Sequence, residues 1–268
     1  MARALPPTCA LITGAASGIG FEMAQCCASR GLRLVLVDIN EEGVKMAAEE
    51  IRTAHGVTVD TFQIDLSQRE APEACLAFCD ARGIEVDLLI NNAGIFLFDP
   101  LVEADTRRVA LMSDLHVYCV TRMCMLFGAR MKTAKHGYIL NLSSLSAWMP
   151  MPGISTYNAS KSYIRSLSLA LGFELRPFGV SVTAVCPGGI DTALLPIPDS
   201  IRKLGRKLHC IMPPEVLAEK AIRATLRRKK QVIPGAMNHV FKFFMAIVPD
   251  FVIAWAMRVV PIYKRFLP

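Results

Sequence analysis

Short apolar runs alternate along this chain with longer stretches in which apolar residues recur at helical spacing. The runs lie at residues 10–13, 34–37, 58–64, 88–90, 138–142 and 181–185. Runs of this length between helical stretches are typical of buried strands, and the alternation of strands with helices is typical of a parallel sheet. The pattern therefore predicts an α/β fold, a doubly wound parallel sheet with helices on both faces.

The chain is predicted to be one domain. We find no internal repeat, low-complexity tract or linker in its 268 residues. With 53% hydrophobic residues it can bury a substantial core, and α/β folds of this length commonly form a single unit. Residues 1–268 are therefore assigned to one domain, with a substrate flap at about residues 190–215 and an apolar C-terminal extension at about 235–268.

A glycine-rich turn follows the first strand, with Gly14, Gly18 and Gly20 in the spacing G-x-x-x-G-x-G. Glycines here let the backbone approach a pyrophosphate at the N-terminus of the next helix, although such turns also occur as plain connections. The second strand ends in Asp38, eighteen residues after Gly20, close to where a dinucleotide fold holds the ribose hydroxyls. Together these features predict a Rossmann-like sheet that binds a nucleotide.

A candidate acid–base site lies in the second half of the chain. Tyr157 and Lys161 are four residues apart, so on a helix they share a face and the Lys161 ammonium can stabilise the Tyr157 phenolate. A neighbouring cation lowers the pKa of a phenol from its usual value of about 10. Ser144, which follows an apolar strand-like run, could hydrogen-bond a substrate oxygen beside the phenol. These residues suit proton transfer to and from an alcohol or carbonyl oxygen.

Five motifs, in order along residues 8–195, resemble those of the short-chain dehydrogenase/reductase family in its common single-domain form. They are Thr13-Gly-Ala-Ala-Ser-Gly-Ile-Gly20, Asp65-Leu66, Asn91-Asn-Ala-Gly94, Ser144 with Tyr157 and Lys161, and Pro187-Gly-Gly-Ile-Asp-Thr192. The resemblance implies an oxidoreductase that moves hydride between a nicotinamide cofactor and a secondary alcohol or ketone. It also implies that Tyr157 is the general acid/base, that Ser144 orients the substrate, and that Lys161 binds the nicotinamide ribose and lowers the pKa of Tyr157.

The same resemblance assigns the residues that bind the cofactor. They are Gly14, Ser17, Gly18, Ile19, Gly20, Asp38, Asp65, Leu66, Asn91, Ala93, Gly94, Tyr157, Lys161, Pro187, Gly188, Ile190 and Thr192. The Asp38 carboxylate favours NAD, because it accepts hydrogen bonds from ribose hydroxyls and repels a 2′-phosphate, and no cation stands at Ala15, Ala16 or Ile39. A role of Asp38 as cap of the following helix is compatible with this. An NADPH-dependent acyl or carbonyl reductase is the nearer alternative.

One position departs from the family. Many members carry an asparagine in the helix before the Ser144 strand, where it helps to hold a water in a proton relay with the lysine. No asparagine occurs between Asn92 and Asn141. Aligning Thr121-Arg122 with the family pattern places Ser113 at that position, with Asp114 and His116 nearby if the register shifts. Ser113 is therefore the fourth predicted catalytic residue, and a cofactor-binding protein without turnover is the more distant alternative.

Cysteine and histidine spacing predicts neither a metal site nor disulfides. The nine cysteines contain no C-x-x-C pair and the five histidines form no ligand array. Buried free thiols indicate a reducing, intracellular compartment, and the segment before the first strand is too short for a secretory signal, so a cytoplasmic protein is expected.

The net charge of +7 is most concentrated at residues 223–230, the end of a helical stretch, where solvated cations are favourable, so nucleic acid is not a predicted partner.

In the C-terminal extension, Pro249 and Asp250 fall where the middle of a membrane-spanning helix would be. Three destinations remain: a lid over an apolar cleft, a subunit contact, or a membrane surface. We favour packing within the protein or between subunits over membrane attachment.

The substrate is expected to be an apolar alcohol or ketone, such as a steroid, a bile acid or another hydrophobic carbonyl. The expectation depends on apolar residues of the flap and of the segment after Ser144, which are Leu194, Leu195, Ile197, Ile201, Met212, Trp148, Met149 and Met151. The helices at about 105–131 and around Tyr157 carry more apolar surface than one sheet face needs. They predict a homodimer or homotetramer, the assembly that the family resemblance also implies.

Overall fold

The computed structural model describes residues 5–148, 151–192, 211–245, 248–259 and 263. Its strands are β1 Cys9–Thr13, β2 Arg33–Asp38, β3 Val59–Gln63, β4 Leu88–Asn91, β5 Gly137–Leu142, β6 Val180–Val185, β7 Gly189–Ile190, β8 Ile211–Met212 and β9 Gln231–Val232. Within the described residues, seven of them form one parallel sheet in the order β3-β2-β1-β4-β5-β6-β9. The predicted fold class is therefore confirmed. Sequence analysis missed β9, which adds only two residues to the edge of the sheet.

Helices cover both faces of this sheet. They are α1 Gly18–Ala28, α2 Glu41–His55, α3 Ala71–Asp80, α4 Thr106–Ser113, α5 Val120–Ala134, α6 Ser155–Leu175, α7 Pro214–Leu226, α8 Ala236–Met245 and α9 Asp250–Val259. A π-helical segment, Asp114–Cys119, joins α4 to α5 without a break. Helices α1, α2 and α7 pack on one face, and α3, α5 and α6 pack on the other.

The core of the protein lies on both sides of the central strands. All five residues of β1 are buried, and alternate residues point to opposite faces, so Ile12 joins the layer under α1 and α2 while Leu11 joins the layer under α5 and α6. This two-sided burial explains why the strands appear in the sequence as unbroken apolar runs. Burying side chains such as these contributes about 1.5–3 kcal/mol each.

The functional cleft lies where the strand order reverses. The chain builds β1, β2 and β3 outward in one direction and then returns to the other side of β1 with β4, β5 and β6. At such a switch point the loops that follow adjacent strands diverge and leave a crevice at the carboxyl ends of the strands. The loops after β1, β4, β5 and β6 therefore face one another across this crevice.

By length and hydropathy, one helical run among the described residues, Thr106–Ala134, could cross a membrane. Three of its large apolar side chains, those of Met123, Phe127 and Met131, are buried against the sheet. A core helix passes the same test of length and composition, and this packing accounts for the apolar character of the run.

The C-terminal extension contains α8, which lies on the 3₁₀ turn Leu145–Trp148 at the mouth of the crevice. Phe241 of α8 packs with Ile233 and Trp148. The Trp148 ring also receives two cations, with Arg165 Cζ 4.4 Å and Lys242 Nζ 4.8 Å from its centroid. The inner face of α8 thus packs against the turn at the mouth of the crevice.

Candidate active site

A cleft of about 990 Å³ runs along the carboxyl ends of the strands, from the β1 turn to α6. Most of the predicted site residues line it: Gly14, Ser17, Gly18, Ile19, Asp38, Asp65, Leu66, Ala93, Gly94, Ser144, Tyr157, Lys161, Pro187, Gly188, Ile190 and Thr192. The structure thus brings residues from seven separate segments of the chain into one continuous wall. Gly20, Asn91 and Ser113 are the predicted residues that do not line it.

At one end of the cleft the glycine turn leads into α1. Gly14 and Gly18 have φ values of +64° and +56°, a conformation that side chains with a Cβ rarely adopt. Ser17 stands at the N-cap of α1 in extended conformation, and its side chain makes no capping hydrogen bond. The amides of the first turn therefore face the cleft without a side-chain acceptor. This is the backbone arrangement that suits a pyrophosphate.

Gly20 supports the turn instead of lining the cleft. A Cβ at this position would clash with the carbonyl oxygen of Gly14 and approach Asn92 Nδ2 to 2.6 Å. The predicted binding role of Gly20 is therefore corrected to close packing of the helix against the turn, which is also what a third glycine in such a motif provides.

Asn92, which the sequence did not mark as a site residue, hydrogen-bonds the loop after β4 to the glycine turn. Its Nδ2 donates to the carbonyl oxygens of Thr13 and Gly14 at 2.9 and 3.1 Å. The backbone amides of Asn92 and Ala93 in turn donate to Thr13 Oγ1, each at 3.0 Å. These bonds fix the distance between the two walls of the cleft.

Asp38 closes the nucleotide end of the cleft. Its Oδ2 accepts from the Ala16 amide at 2.9 Å and its Oδ1 accepts from the Asn40 amide at 3.0 Å. The cap of α2 is Asn40, whose side chain accepts from the Gly43 amide at 3.0 Å, so the interpretation of Asp38 as a helix cap is wrong. Asp38 instead holds the glycine turn and presents negative charge to the cleft.

Asp65 supplies a second carboxylate at this end. Its Oδ1 accepts from the Ser67 amide at 2.9 Å and from Ser67 Oγ at 2.7 Å, and its Oδ2 accepts from Gln68 at 3.2 Å. Burial raises the pKa of Asp65, but these hydrogen bonds outweigh burial and hold the pKa below its ordinary value. Asp65 is therefore ionised at neutral pH.

Asn91 points away from the cleft, which corrects its predicted role. Its Nδ2 donates to Asn141 Oδ1 at 2.8 Å, and Asn141 Nδ2 donates to Ser168 Oγ at 2.9 Å. Asn91 and Asn141 are paired in register on β4 and β5, and all three side chains are buried. The network joins two strands to α6, so Asn91 orients the helix that carries Tyr157 and Lys161.

At the other end of the cleft, Ser144, Tyr157 and Lys161 lie together. Tyr157 and Lys161 stand on the first turns of α6 and Ser144 follows β5, as predicted. Ser144 acts on the Tyr157 phenol by lowering its pKa, and Ser144 Oγ accepts from the Ser146 amide at 3.1 Å. Lys161 Nζ donates to the Leu142 carbonyl at 2.9 Å and lies 5.6 Å from the centroid of the Tyr157 ring.

Burial dominates the protonation of both residues on α6. It raises the pKa of Tyr157, and the hydrogen bond from Ser144 only partly offsets this. The expected lowering of the Tyr157 pKa by Lys161 is therefore wrong for this structure. Burial also lowers the pKa of Lys161 to about 8, against a smaller opposing effect of Cys186. At neutral pH the site thus holds a neutral phenol beside a lysine that is still mostly protonated.

The predicted relay position is wrong. Ser113 is exposed on α4, and its hydroxyl donates to the Val109 carbonyl at 3.1 Å on its own helix. The π-helical segment that begins at the next residue changes the register of the helix, and it is His116 that lines the cleft, fully buried. A straight-helix alignment could not reveal this shift.

Apolar side chains form the wall beside the catalytic residues. They are Ile95, Phe96, Leu111, Leu115, Leu145, Met151 and Ile154. Of the wall residues predicted from sequence, Met151 is in place, whereas Trp148 packs under α8 and Met212 packs against the core near β7. Met149, Leu194, Leu195, Ile197 and Ile201 lie outside the described residues, as does the flap between residues 193 and 210.

Comparison with known proteins identifies the family. A short chain dehydrogenase family model matches residues 8–197. The chain is a short-chain dehydrogenase. In agreement, it is 31% identical over 238 residues to the very-long-chain 3-oxoacyl-CoA reductase of Phaeosphaeria nodorum, covering 87% of this chain and 66% of that relative.

A second relative shares only the dehydrogenase portion. The probable oxidoreductase EphD of Mycobacterium tuberculosis is 34% identical over 185 residues, which are 69% of this chain and 31% of EphD. This dehydrogenase therefore spans about a third of the length of EphD.

Solved structures resemble the whole fold. The bulky-bulky ketone specific alcohol dehydrogenase from Comamonas testosteroni matches with a TM-score of 0.76 and 28% identity, over 97% of this dehydrogenase and 99% of that chain. A short-chain dehydrogenase from Sphingobium yanoikuyae in complex with NADPH matches with a TM-score of 0.74 and 28% identity, over 91% and 97%. Proteins of this family are oxidoreductases that bind a nicotinamide cofactor.

Proposed function

We propose that this dehydrogenase interconverts an apolar secondary alcohol and its ketone with NAD(H). The observation that carries the proposal is the cluster of Ser144, Tyr157 and Lys161 at the apolar end of a cleft whose other end presents backbone amides and carboxylates. The glycine turn, Asp38 and Lys161 would hold the nicotinamide cofactor, which would supply or accept the hydride. The residues of the chain then have to bind the reacting oxygen and move one proton.

Tyr157 and Ser144 divide that task. Both hydroxyls line the same end of the cleft, so both can bind one substrate oxygen. In reduction, Tyr157 donates its proton to the oxygen as negative charge develops on it, while Ser144 holds the oxygen in line. In oxidation the phenolate takes the proton back, and Lys161 would hold the nicotinamide ribose beside it. Burial raises the pKa of Tyr157, so the phenol is protonated at neutral pH, which is the form that reduction requires.

The preference for NAD(H) depends on charge at the nucleotide end. Asp38 and Asp65 line the cleft there, and the exposed side chain of Ile39 supplies no cation. Among the described residues of the lining, Lys161 at the far end is the only cation. A 2′-phosphate would meet carboxylates without a compensating charge.

An NADPH-dependent acyl or carbonyl reductase remains the second candidate. The NADPH complex of the Sphingobium yanoikuyae enzyme and the 3-oxoacyl-CoA reductase activity named for the Phaeosphaeria nodorum relative support it. Dissociation constants for NADH and NADPH, measured by fluorescence titration, separate the candidates. We expect tighter binding of NADH, and equal or tighter binding of NADPH contradicts the assignment.

The substrate class is proposed from the apolar wall. Aromatic and aliphatic side chains beside Tyr157 suit a bulky ketone such as a steroid, a bile acid or another hydrophobic carbonyl. The name of the Comamonas testosteroni neighbour, specific for bulky-bulky ketones, supports the same class. A panel of ketones of increasing bulk, with simple sugars as polar controls, tests it by kcat/KM. Absence of turnover with all of them would favour a cofactor-binding protein without turnover.

The oligomeric state and the cellular location are also proposed. We propose a homodimer or homotetramer formed through α5 and α6, where the exposed side chains of Met125 and Phe173 leave apolar surface uncovered. We further propose a cytoplasmic protein, since the eight described cysteines are free and seven of them are buried. Attachment to a membrane surface is not favoured.

A further inference from the structure

His116 is a fully buried histidine that the proposed reaction does not use. It lies in the π-helical segment between α4 and α5, and its ring stands edge-on to that of Tyr157 with 6.0 Å between centroids. A π turn holds more residues than an α turn and often marks a functional site. Here it brings the imidazole between α6 and the loop that follows β4.

Hydrogen bonds on both ring nitrogens determine the tautomer. Nε2 accepts from the Ile95 amide at 3.1 Å, and Nδ1 lies 2.9 Å from Ser160 Oγ. The Ser160 hydroxyl donates to the Tyr157 carbonyl at 2.8 Å, so its single hydrogen is already used. Ser160 must therefore accept from His116, which places the hydrogen on Nδ1. Burial, and after it the charge of Lys161, lowers the pKa of His116 well below its ordinary value, so the ring stays neutral.

We propose that His116 is a positioning residue that holds residues 94–96 and the backbone of Tyr157 in one fixed relation. Residues 94–96 line the cleft, and the Phe96 ring packs edge-on against Tyr157 at 5.0 Å. The imidazole connects this loop to α6 through one acceptor and one donor. The effect of His116 on catalysis by Tyr157 rests on the proposed function, whereas its hydrogen bond to the loop of residues 94–96 does not.

The same bonds argue against a proton relay through the ring. A backbone amide such as that of Ile95 does not release its proton at neutral pH, and the Ser160 hydrogen points to a carbonyl oxygen. No described partner of His116 can pass a proton onward. His116 thus lies three residues after the position that the family resemblance assigns to the relay asparagine, but its contacts hold the loop and α6 together and transfer no proton.

The fit around His116 is close. A Cβ on Gly94 would lie 2.5 Å from His116 Nε2, which is far inside normal contact. The chain therefore needs glycine at position 94 because the imidazole fills the space beside it. This contact explains the packing role of a glycine that sequence analysis assigned only to the cofactor.

Two isosteric variants separate the two bonds. In His116→Gln the side-chain oxygen can still accept from Ile95, but the bond to Ser160 is lost. In His116→Asn the side-chain nitrogen can still donate to Ser160, but the bond to Ile95 is lost. We expect His116→Gln to keep the dissociation constant of NADH within about twofold and to lower kcat by on the order of tenfold, as misplacement of a catalytic group does. We expect His116→Asn to weaken NADH binding by on the order of tenfold and to keep kcat at saturating NADH within about twofold.

Two serine variants on α6 serve as reference and control. Ser160→Ala removes the same bond as His116→Gln and should lower kcat by a similar factor, with no further loss when the two are combined. Ser166→Ala, at an exposed position of the same helix that does not line the cleft, should leave kcat and NADH binding unchanged. Parallel changes of kcat and NADH affinity in both histidine variants, or wild-type values in both, overturn the proposal. If the wild-type protein reduces no ketone, NADH titration of the Gln and Asn variants still tests the hold on the loop.

Discussion

The hydroxyl of Tyr157 is the single group whose loss should stop the chemistry while leaving the protein intact. Tyr157→Phe keeps the ring that packs against Phe96 and removes only the proton donor. We expect kcat to fall by roughly 10²-fold or more, with NADH affinity and the midpoint of thermal unfolding nearly unchanged. Steady-state kinetics on the best ketone of the panel measure this effect. Turnover close to that of the wild type would remove Tyr157 from its role.

Burial of Lys161 should make the free energy of unfolding depend on pH. Its pKa is about 8 in the folded protein against 10.5 ordinarily, so between these values the unfolded chain binds more protons at this residue. Lys161 therefore makes the free energy of unfolding rise between pH 8 and pH 10.5. Lys161→Met has no titrating group at this position, so any stability advantage of the variant should shrink by about 3 kcal/mol across this window.

Urea unfolding at several pH values measures the difference. The exposed Thr133→Ala on α5, which removes no titratable group, is the control, and its difference from the wild type should not change across the same window. A constant difference between Lys161→Met and the wild type would show that the ammonium is better solvated than its burial indicates.

Among the secondary-structure elements, β4, β5 and α6 depend on one buried polar network. Asn141 bonds both Asn91 and Ser168, and truncation would remove one hydrogen bond from each of these buried side chains. Asn91 keeps its contact with Cys124 Sγ, and Ser168 keeps its bond to the Ile164 carbonyl. We expect Asn141→Ala to lower the free energy of unfolding by about 1–3 kcal/mol. The exposed Thr133→Ala on α5 should change it by less than about 0.5 kcal/mol. Equal stability of the two variants would contradict the importance of the network.

The same elements show what a sequence alone can predict. Strands such as β1 and β6 are buried on both faces, so their apolar runs mark them directly. The direction of Asn91 could not be predicted, because it depends on its register with Asn141, fifty residues away. Alignment of Thr121-Arg122 with the family pattern places Ser113 at the relay position, and no sequence signal marks the π-helical turn that brings His116 to the cleft instead. Local patterns thus predict the elements and the triad, whereas side chains that pair across the fold require the tertiary structure.

For the molecule as a whole, the exposed aromatic side chains on the outer faces of α8 and α9 bear most on assembly. Phe243, Phe244, Phe251 and Trp255 are 66%, 56%, 72% and 62% exposed, which is unusual for a chain that acts alone in water. Lys242, a cation that an anionic membrane would attract, instead lies over the Trp148 ring. We therefore expect these aromatic side chains to meet a second subunit and not lipid.

Vesicle flotation and sedimentation test this expectation together. The intact protein should not float with anionic vesicles at low or high salt, and it should sediment as a dimer or tetramer at micromolar concentration. Replacing Phe251 and Trp255 by serine should lower the mass of the oligomer if these side chains lie between subunits, whereas serine at the exposed Met46 of α2 should not. Flotation that salt abolishes would instead place the helices on a membrane surface, because ions screen the attraction between basic residues and anionic lipids.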